Sequence, residues 1–266
     1  MNSILLHAFP KIIDLTNLSN ADSTVKRAIE IVEHIESLHF QGRVPPAYEV
    51  QRAQNAADCL TAFIYQNPSL QSSLKSGQKL SPLEADAHGA MALCALRGIG
   101  RMQGSLQTVS QLANIASTHN SPAGHYATGL LNMELFNPPR YEEARGFFEQ
   151  AAETGHAGAQ YMLAVLHANS LLSKSSNITA CGYLEQAAAQ GHPKALCDLG
   201  GIYTRGLSVP GVKIEADPLK AIGYYKASYQ KGFEPAVNHL GQCAGMYAPN
   251  YIRTPNGQVE RRFERH

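Results

Sequence analysis

Tryptophan is absent from the 266 residues, and charge is scarce and balanced: 22 Lys and Arg against 21 Asp and Glu, for a net charge of +1. So small an excess argues against a general electrostatic grip on nucleic acid or anionic lipid. No apolar run approaches the roughly 20 residues of a membrane span. The five cysteines, Cys59, Cys94, Cys181, Cys197 and Cys243, form no CxxC pair and no regular spacing. That pattern argues against a disulfide framework or zinc site and reads as buried free thiols. Also lacking are GxSxG, HExxH, the Walker loop and GxGxxG. Gly98-Ile99-Gly100, with Gly104 beyond, has no strand before it and reads as a turn between helices. The segment Met1–Lys11 lacks a basic n-region and its apolar stretch is short; with Asp14 and little Arg nearby, the expected location is the cytoplasm.

What is present is 44% hydrophobic material, enough for a sizeable core, and repetition. Gly124–Gly155, Ala159–Gly191 and Ala195–Gly232 repeat one another as a short apolar helix, a turn, and a second helix ending at glycine. Ala144, Ala180 and Ala221 open the second helices, at steps of 36 and 41 residues. Phe147, Tyr183 and Tyr224 follow three residues later, and Gly155, Gly191 and Gly232 close the helix eleven after the alanine. A period of this size signals a helical solenoid.

Upstream, Val25, Ala28, Val32, Ile35 and Leu38 make a helical stripe from Asp22 or Ser23 to a stop at Gly42 and Pro45-Pro46. Val50, Ala53, Ala57, Leu60 and Ile64 make a second, ended by Asn67-Pro68, after which the Ser/Gln-rich residues 69–80 read as a loop. Ser81-Pro82-Leu83-Glu84 has the form of a capping box and opens a helix to about Gly98. Leu106–Thr118 is its partner, and Gly89, 35 residues before Gly124, marks a worn repeat. A last first-type helix begins at Ala236. The expected domains are a non-consensus helical cap over 1–80, an array over 81–247 with clear units at about 123–158, 159–194 and 195–235, and a flexible tail over 248–266.

The third unit, Ala195-Leu-Cys-Asp-Leu199-Gly200-Gly-Ile-Tyr203 through Asp217-Pro-Leu-Lys220-Ala221-Ile-Gly-Tyr224-Tyr225, resembles the Sel1-like repeat. Ala144–Gly155 and Ala180–Gly191 match its second helix; the family's Gly-x-Gly-Val turn is missing from the first two units, and Leu207–Pro210 look inserted in the third. The resemblance implies an all-α fold, an α-solenoid of four or five antiparallel helix pairs in a right-handed superhelix of the tetratricopeptide-like type, with essentially no strand. Secreted relatives that bind cell-wall-like molecules carry cysteine pairs in each repeat, which this chain lacks. The consensus residues serve packing. Leu199, Ile202 and Tyr203 face Tyr224, alanine pairs let helices approach, and the closing glycines adopt the left-handed conformation.

Eleven histidines raise the question of a metal or a catalytic base. His156 and His192 recur at equivalent positions and are explained by the repeat. His119 and His125 flank a polar loop with no third ligand nearby. His239 falls on the exposed side of the last helix and suits binding. Core positions at the fourth, seventh and eighth residues of each first helix leave the third, sixth and tenth facing a concave groove. These are Ala127, Leu130 and Glu134; Met162, Val165 and Asn169; Asp198, Gly201 and Arg205; and His239, Gln242 and Met246. A mixed apolar and polar groove suits a peptide or helix. The expected function is a non-catalytic scaffold or adaptor binding a protein partner through Met162, Val165, Asn169, Asp198, Arg205, His239 and Gln242. No catalytic residue, metal, cofactor or nucleic acid is expected. The alternative is an enzyme or small-molecule binder with its site in the groove, and a third reading is a mitochondrial assembly factor.

Overall fold

A computed structural model of the chain describes residues 18–39, 47–99, 105–247, 251–253 and 259–261. The stop at Gly42 and Pro45-Pro46, the Gly100–Gly104 stretch and most of the tail lie outside the described residues. Twelve helices and two short hairpins are described, in two compact units that divide between Leu163 and Ala164.

In the first unit α1 (Leu18–His39) packs on α2 (Ala47–Gln66) and on α4 (Pro82–Arg97). The α1 stripe is core: Val25, Ala28, Val32 and Ile35 are at most 2% exposed. The helix starts ahead of Asp22, because residue types that favour caps also sit inside a helix at a cost of only about 0.5 kcal/mol. Val50, expected in the α2 stripe, is 47% exposed. A larger correction falls on residues 69–80, where α3 (Pro68–Ser76) replaces the expected loop. Asn67 ends α2 and at once caps α3, its Oδ1 accepting from the Leu70 N–H at 3.3 Å, while Pro68 fits the first helical position. Leu70 is fully buried and anchors the polar segment.

The capping box at Ser81 and Glu84 forms as expected, and Gly98 closes α4 in the left-handed conformation. Helices α5 (Leu106–Thr118) and α6 (Pro122–Glu134) follow, packed on α4 and on each other. Glycine is required here by proximity: a Cβ on Gly89 would lie 2.5 Å from the Gly124 backbone nitrogen, and one on Gly124 would strike Ala116. Helices α4 and α5 thus form a packed pair. Then α7 (Tyr141–Glu153) packs on α6.

Helix α8 (Ala157–Ala168) crosses the division, and the second unit continues with α9 (Asn177–Ala189), α10 (Pro193–Arg205), α11 (Pro218–Gln230) and α12 (Pro235–Tyr247). Within it α10 packs on α9 and α11, and α12 on α11. The residues that looked inserted build a hairpin, β1 (Leu207–Val209) paired with β2 (Val212–Ile214) around Pro210-Gly211. A second antiparallel pair, β3 (Tyr251–Arg253) with β4 (Val259–Arg261), lies in the segment expected to be a tail without strand. Short strands thus punctuate the all-α array because hairpin hydrogen bonds satisfy a backbone that leaves the helix.

The side chain buried in each second helix sits one residue later than the aromatic spacing implied. Phe148, Leu184 and Tyr225 are at most 8% exposed, whereas Phe147, Tyr183 and Tyr224 are half-buried. Tyr224 does stack on Tyr203, with centroids 5.5 Å apart. The buried ring needs a hole opposite. A Cβ on Gly200 would lie 2.6 Å from the Tyr225 ring, and one on Gly129 would strike Phe148. In the middle unit the equivalent positions are Ala164 and Leu184, both buried.

Gly155, Gly191 and Gly232 end their helices at φ of 89°, 81° and 89°. Gly191→Val should therefore cost about 1–3 kcal/mol, since a β-branched residue is strained at positive φ. Gly182→Val, mid-helix with open space around it, should be neutral or slightly stabilising. Equal melting temperatures for the two variants would refute the assigned helix end.

Candidate functional site

Of the exposed polar residues singled out from the sequence, Arg205 and His239 lie beside one buried tyrosine of the second unit. Helix α10 is started by His192, whose Nδ1 accepts from the Ala195 N–H at 3.3 Å, and by Pro193 at its first position. Its period places Asp198, Gly201 and Arg205 on one face, with Asp198 and Arg205 exposed and Gly201 half-buried. Behind that face the Tyr225 ring from α11 is 3% exposed. Its hydroxyl lies 3.2 Å from Thr204 Oγ1, and His239 of α12 stacks on the ring at 5.6 Å. Burial raises the Tyr225 hydroxyl above the ordinary phenol range, with the Thr204 hydrogen bond and the Arg205 charge opposing. Arg205 and His239 thus converge on Tyr225 from two helices, and Gln242 and Met246 extend the exposed face of α12. Asn169, at the end of α8, is exposed and bonds back to the Val165 carbonyl at 2.9 Å; Val165 is half-buried.

Met162 is a correction. It was expected in the groove and is 1% exposed, as Ala127 and Leu130 are fully buried. The third and sixth positions of a first helix face outward only where no other element covers them. In α6 they face inward, and Met162 in α8 does the same. The apolar middle of the expected groove is core.

Four other described histidines, His88, His119, His125 and His156, sit in contacts within the fold. His156 repeats the His192 cap, its Nδ1 accepting from the Ala159 N–H at 3.1 Å. His119 Nδ1 donates to the Ile115 carbonyl at 2.8 Å near the end of α5. Burial holds His125 below the ordinary imidazole range, and its ring stacks on Phe147 at 6.3 Å. Burial does the same to His88. Among the described residues no group of three or more His, Cys, Asp or Glu is placed to hold a metal ion. All five cysteines are free, and burial pushes the thiols of Cys94 and Cys197 up to about 12, which leaves them unreactive.

Sequence reasoning missed a polar network in the first unit. Arg97 of α4 donates to Glu36 of α1 at 2.7 Å and to Glu134 of α6 at 2.6 Å. Glu36, 3% exposed, also accepts from the Tyr126 hydroxyl at 2.6 Å. Burial and the Glu36 charge push the Tyr126 hydroxyl well above its ordinary range, so it stays a donor. Burial alone would lower Arg97; the Glu134 hydrogen bond and both carboxylates outweigh it and hold the guanidinium charged. The partners stand 61, 37 and 90 residues apart, so no local pattern could have revealed them.

Helix pairs closed by a glycine and an aromatic ring define a helical repeat protein, and the fold is that of the Sel1-like repeat. A protective antigen of uropathogenic Escherichia coli that displays an SLR fold matches with a TM-score of 0.50 and 17% identity, over 87% of this chain and 52% of that one. A Sel1 repeat protein from Oxalobacter formigenes aligns at 0.49 with 16% identity, over 86% and 87% of the two chains. Among curated proteins, chitin synthase regulatory factor 2 of Schizosaccharomyces pombe is 26% identical over 201 residues, 74% of this chain. The chain spans 37% of that relative's length. No protein-family profile matches the chain. No helix among the described residues is long and apolar enough to cross a membrane.

Proposed function

We propose that the chain is a non-catalytic adaptor of the cytoplasm that binds a segment of a partner protein on the exposed face of α10 and α12. The observation that carries this reading is the convergence of Arg205 and His239 on Tyr225, with Asp198 and Gln242 exposed beside them. Such a face offers charge-assisted hydrogen bonds from side chains set over a rigid buried ring. Val165 of α8 and Asn169, just past its end, belong to the same unit. The fold supports the reading, since repeat arrays present continuous surfaces to other chains. A relative's name, chitin synthase regulatory factor 2, is compatible with the reading.

The test is an Arg205→Glu, His239→Ala double variant. Both side chains are exposed, so the helical circular dichroism should be unchanged, while capture of the principal partner from the native cell should fall at least tenfold. Glu149→Lys on α7, half-buried beside Arg145, should leave capture nearly intact. If the double variant still captures the same partner at wild-type level, this face is not the binding surface.

A further inference from the structure

Helices α4, α5, α6 and α9 start from the side chains of Ser81, Ser105, Ser121 and Ser176, which carry no charge near neutral pH. Helix α8 starts from an imidazole, the Nδ1 of His156 accepting the Ala159 N–H at 3.1 Å. A ring nitrogen that accepts carries no proton, so the proton of the neutral ring sits on Nε2. That nitrogen faces Glu33 of α1, 3.7 Å from its Oε1, and the His156 side chain is 11% exposed. The Tyr126 ring of α6 lies against the imidazole with centroids 4.6 Å apart. Its hydroxyl donates to Glu36 and brings no charge to the site. Asp86 of α4 is a second carboxylate within electrostatic reach. Burial raises its carboxyl above the usual range and the Ser121 hydrogen bond opposes; the Glu33 charge adds to the rise and the His156 charge counters it. Among the described residues, Glu33, Asp86 and Tyr126 are thus the titratable groups that face His156, from three different helices of the first unit.

We propose that His156 is an acid-operated latch: the neutral ring caps α8, and the protonated ring releases α8 and pairs with Glu33 of α1. A second proton enters at Nδ1, where it turns the acceptor into a donor aimed at the Ala159 N–H. The cap is then lost, and a positive charge stands at the positive end of the helix dipole. What draws the proton in is the pair of carboxylates, which favour the imidazolium at short range. The two bonds exclude each other, because the cap needs a bare Nδ1 and the ion pair needs a charged ring. The sign follows from the form that each bond requires. The cap is complete while the ring is neutral, at high pH, and is lost as pH falls through the histidine range of about 5–8. Asp217 caps α11 with a carboxylate, which keeps its acceptor through that range. The adaptor face of α10 and α12 plays no part in this device, so either reading stands without the other.

The test follows the Ala159 amide of the full-length chain by nuclear magnetic resonance. In the wild type the Ala159 resonance and the His156 ring should titrate with one shared midpoint. Protection of that amide from hydrogen exchange, corrected for the intrinsic rate, should fall about fivefold between about pH 8 and 5, the size expected for loss of one cap. His156→Asn supplies a capping oxygen that does not titrate, so its Ala159 protection should be equal at both ends of the range. Glu33→Gln removes the charge that attracts the proton, and the shared midpoint should move about half a pH unit lower. A wild-type Ala159 resonance that stays flat over this range overturns the proposal, and so does a pH dependence that survives in His156→Asn. An unchanged midpoint in Glu33→Gln overturns it as well, because the ring then does not exchange its cap for that pair.

Discussion

Met162→Glu should cost about 4 kcal/mol or more and lower the melting temperature by roughly 8–16 °C. The side chain is 1% exposed, so the substitution places a carboxyl inside the core. It also removes a flexible thioether that fills the core. Against a total stability of roughly 5–15 kcal/mol, such a loss shows directly in thermal circular dichroism. The helical period taken alone assigns Met162 to a binding groove, in which case the same variant would stay folded and lose only its partner. A melting temperature within about 2 °C of wild type would favour the groove. Asp198→Lys, on an exposed position of α10, is the matched control and should move the melting temperature little.

Arg97→Ala should be destabilising by about 3–5 kcal/mol, because it leaves Glu36 as a buried carboxylate with the Tyr126 hydroxyl its remaining donor in the network. Glu134, the more exposed partner at 24% against 3% for Glu36, matters less, and Glu134→Ala should cost about 1 kcal/mol. A double variant, Glu36→Leu with Arg97→Leu, should recover most of the loss, since buried ion pairs replaced by apolar groups are often neutral or stabilising. Urea unfolding of the three variants distinguishes these outcomes. Were Arg97→Ala as mild as Glu134→Ala, α1 would not depend on the network for its place against α4 and α6.

The repeats were legible because their signals are local. Ser81 and Glu84, Leu106–Thr118 and the closing glycines Gly155, Gly191 and Gly232 each act within a few residues of themselves, and each holds in the structure. The α3 helix was hidden for a related reason. Asn67-Pro68 stops one helix and starts the next with the same two residues, and the composition of 69–80 outweighed the single buried Leu70.

The shift of the core from Tyr224 to Tyr225 has a different origin. Both rings occupy adjacent positions about 100° apart on a helix, and only the opposing glycine decides which one enters. The sequence by itself thus determined that helix pairs form, where most of them begin and end, and that they repeat. Local hydrogen bonding, capping and apolar period are sufficient for that. Only the tertiary structure decided which face of each first helix is core. It buried Met162 and Leu130, exposed Asp198 and His239, and joined Glu36 to Arg97 across 61 residues. Exposure depends on which neighbouring helix covers a face, and that neighbour is fixed by contacts distant in the chain.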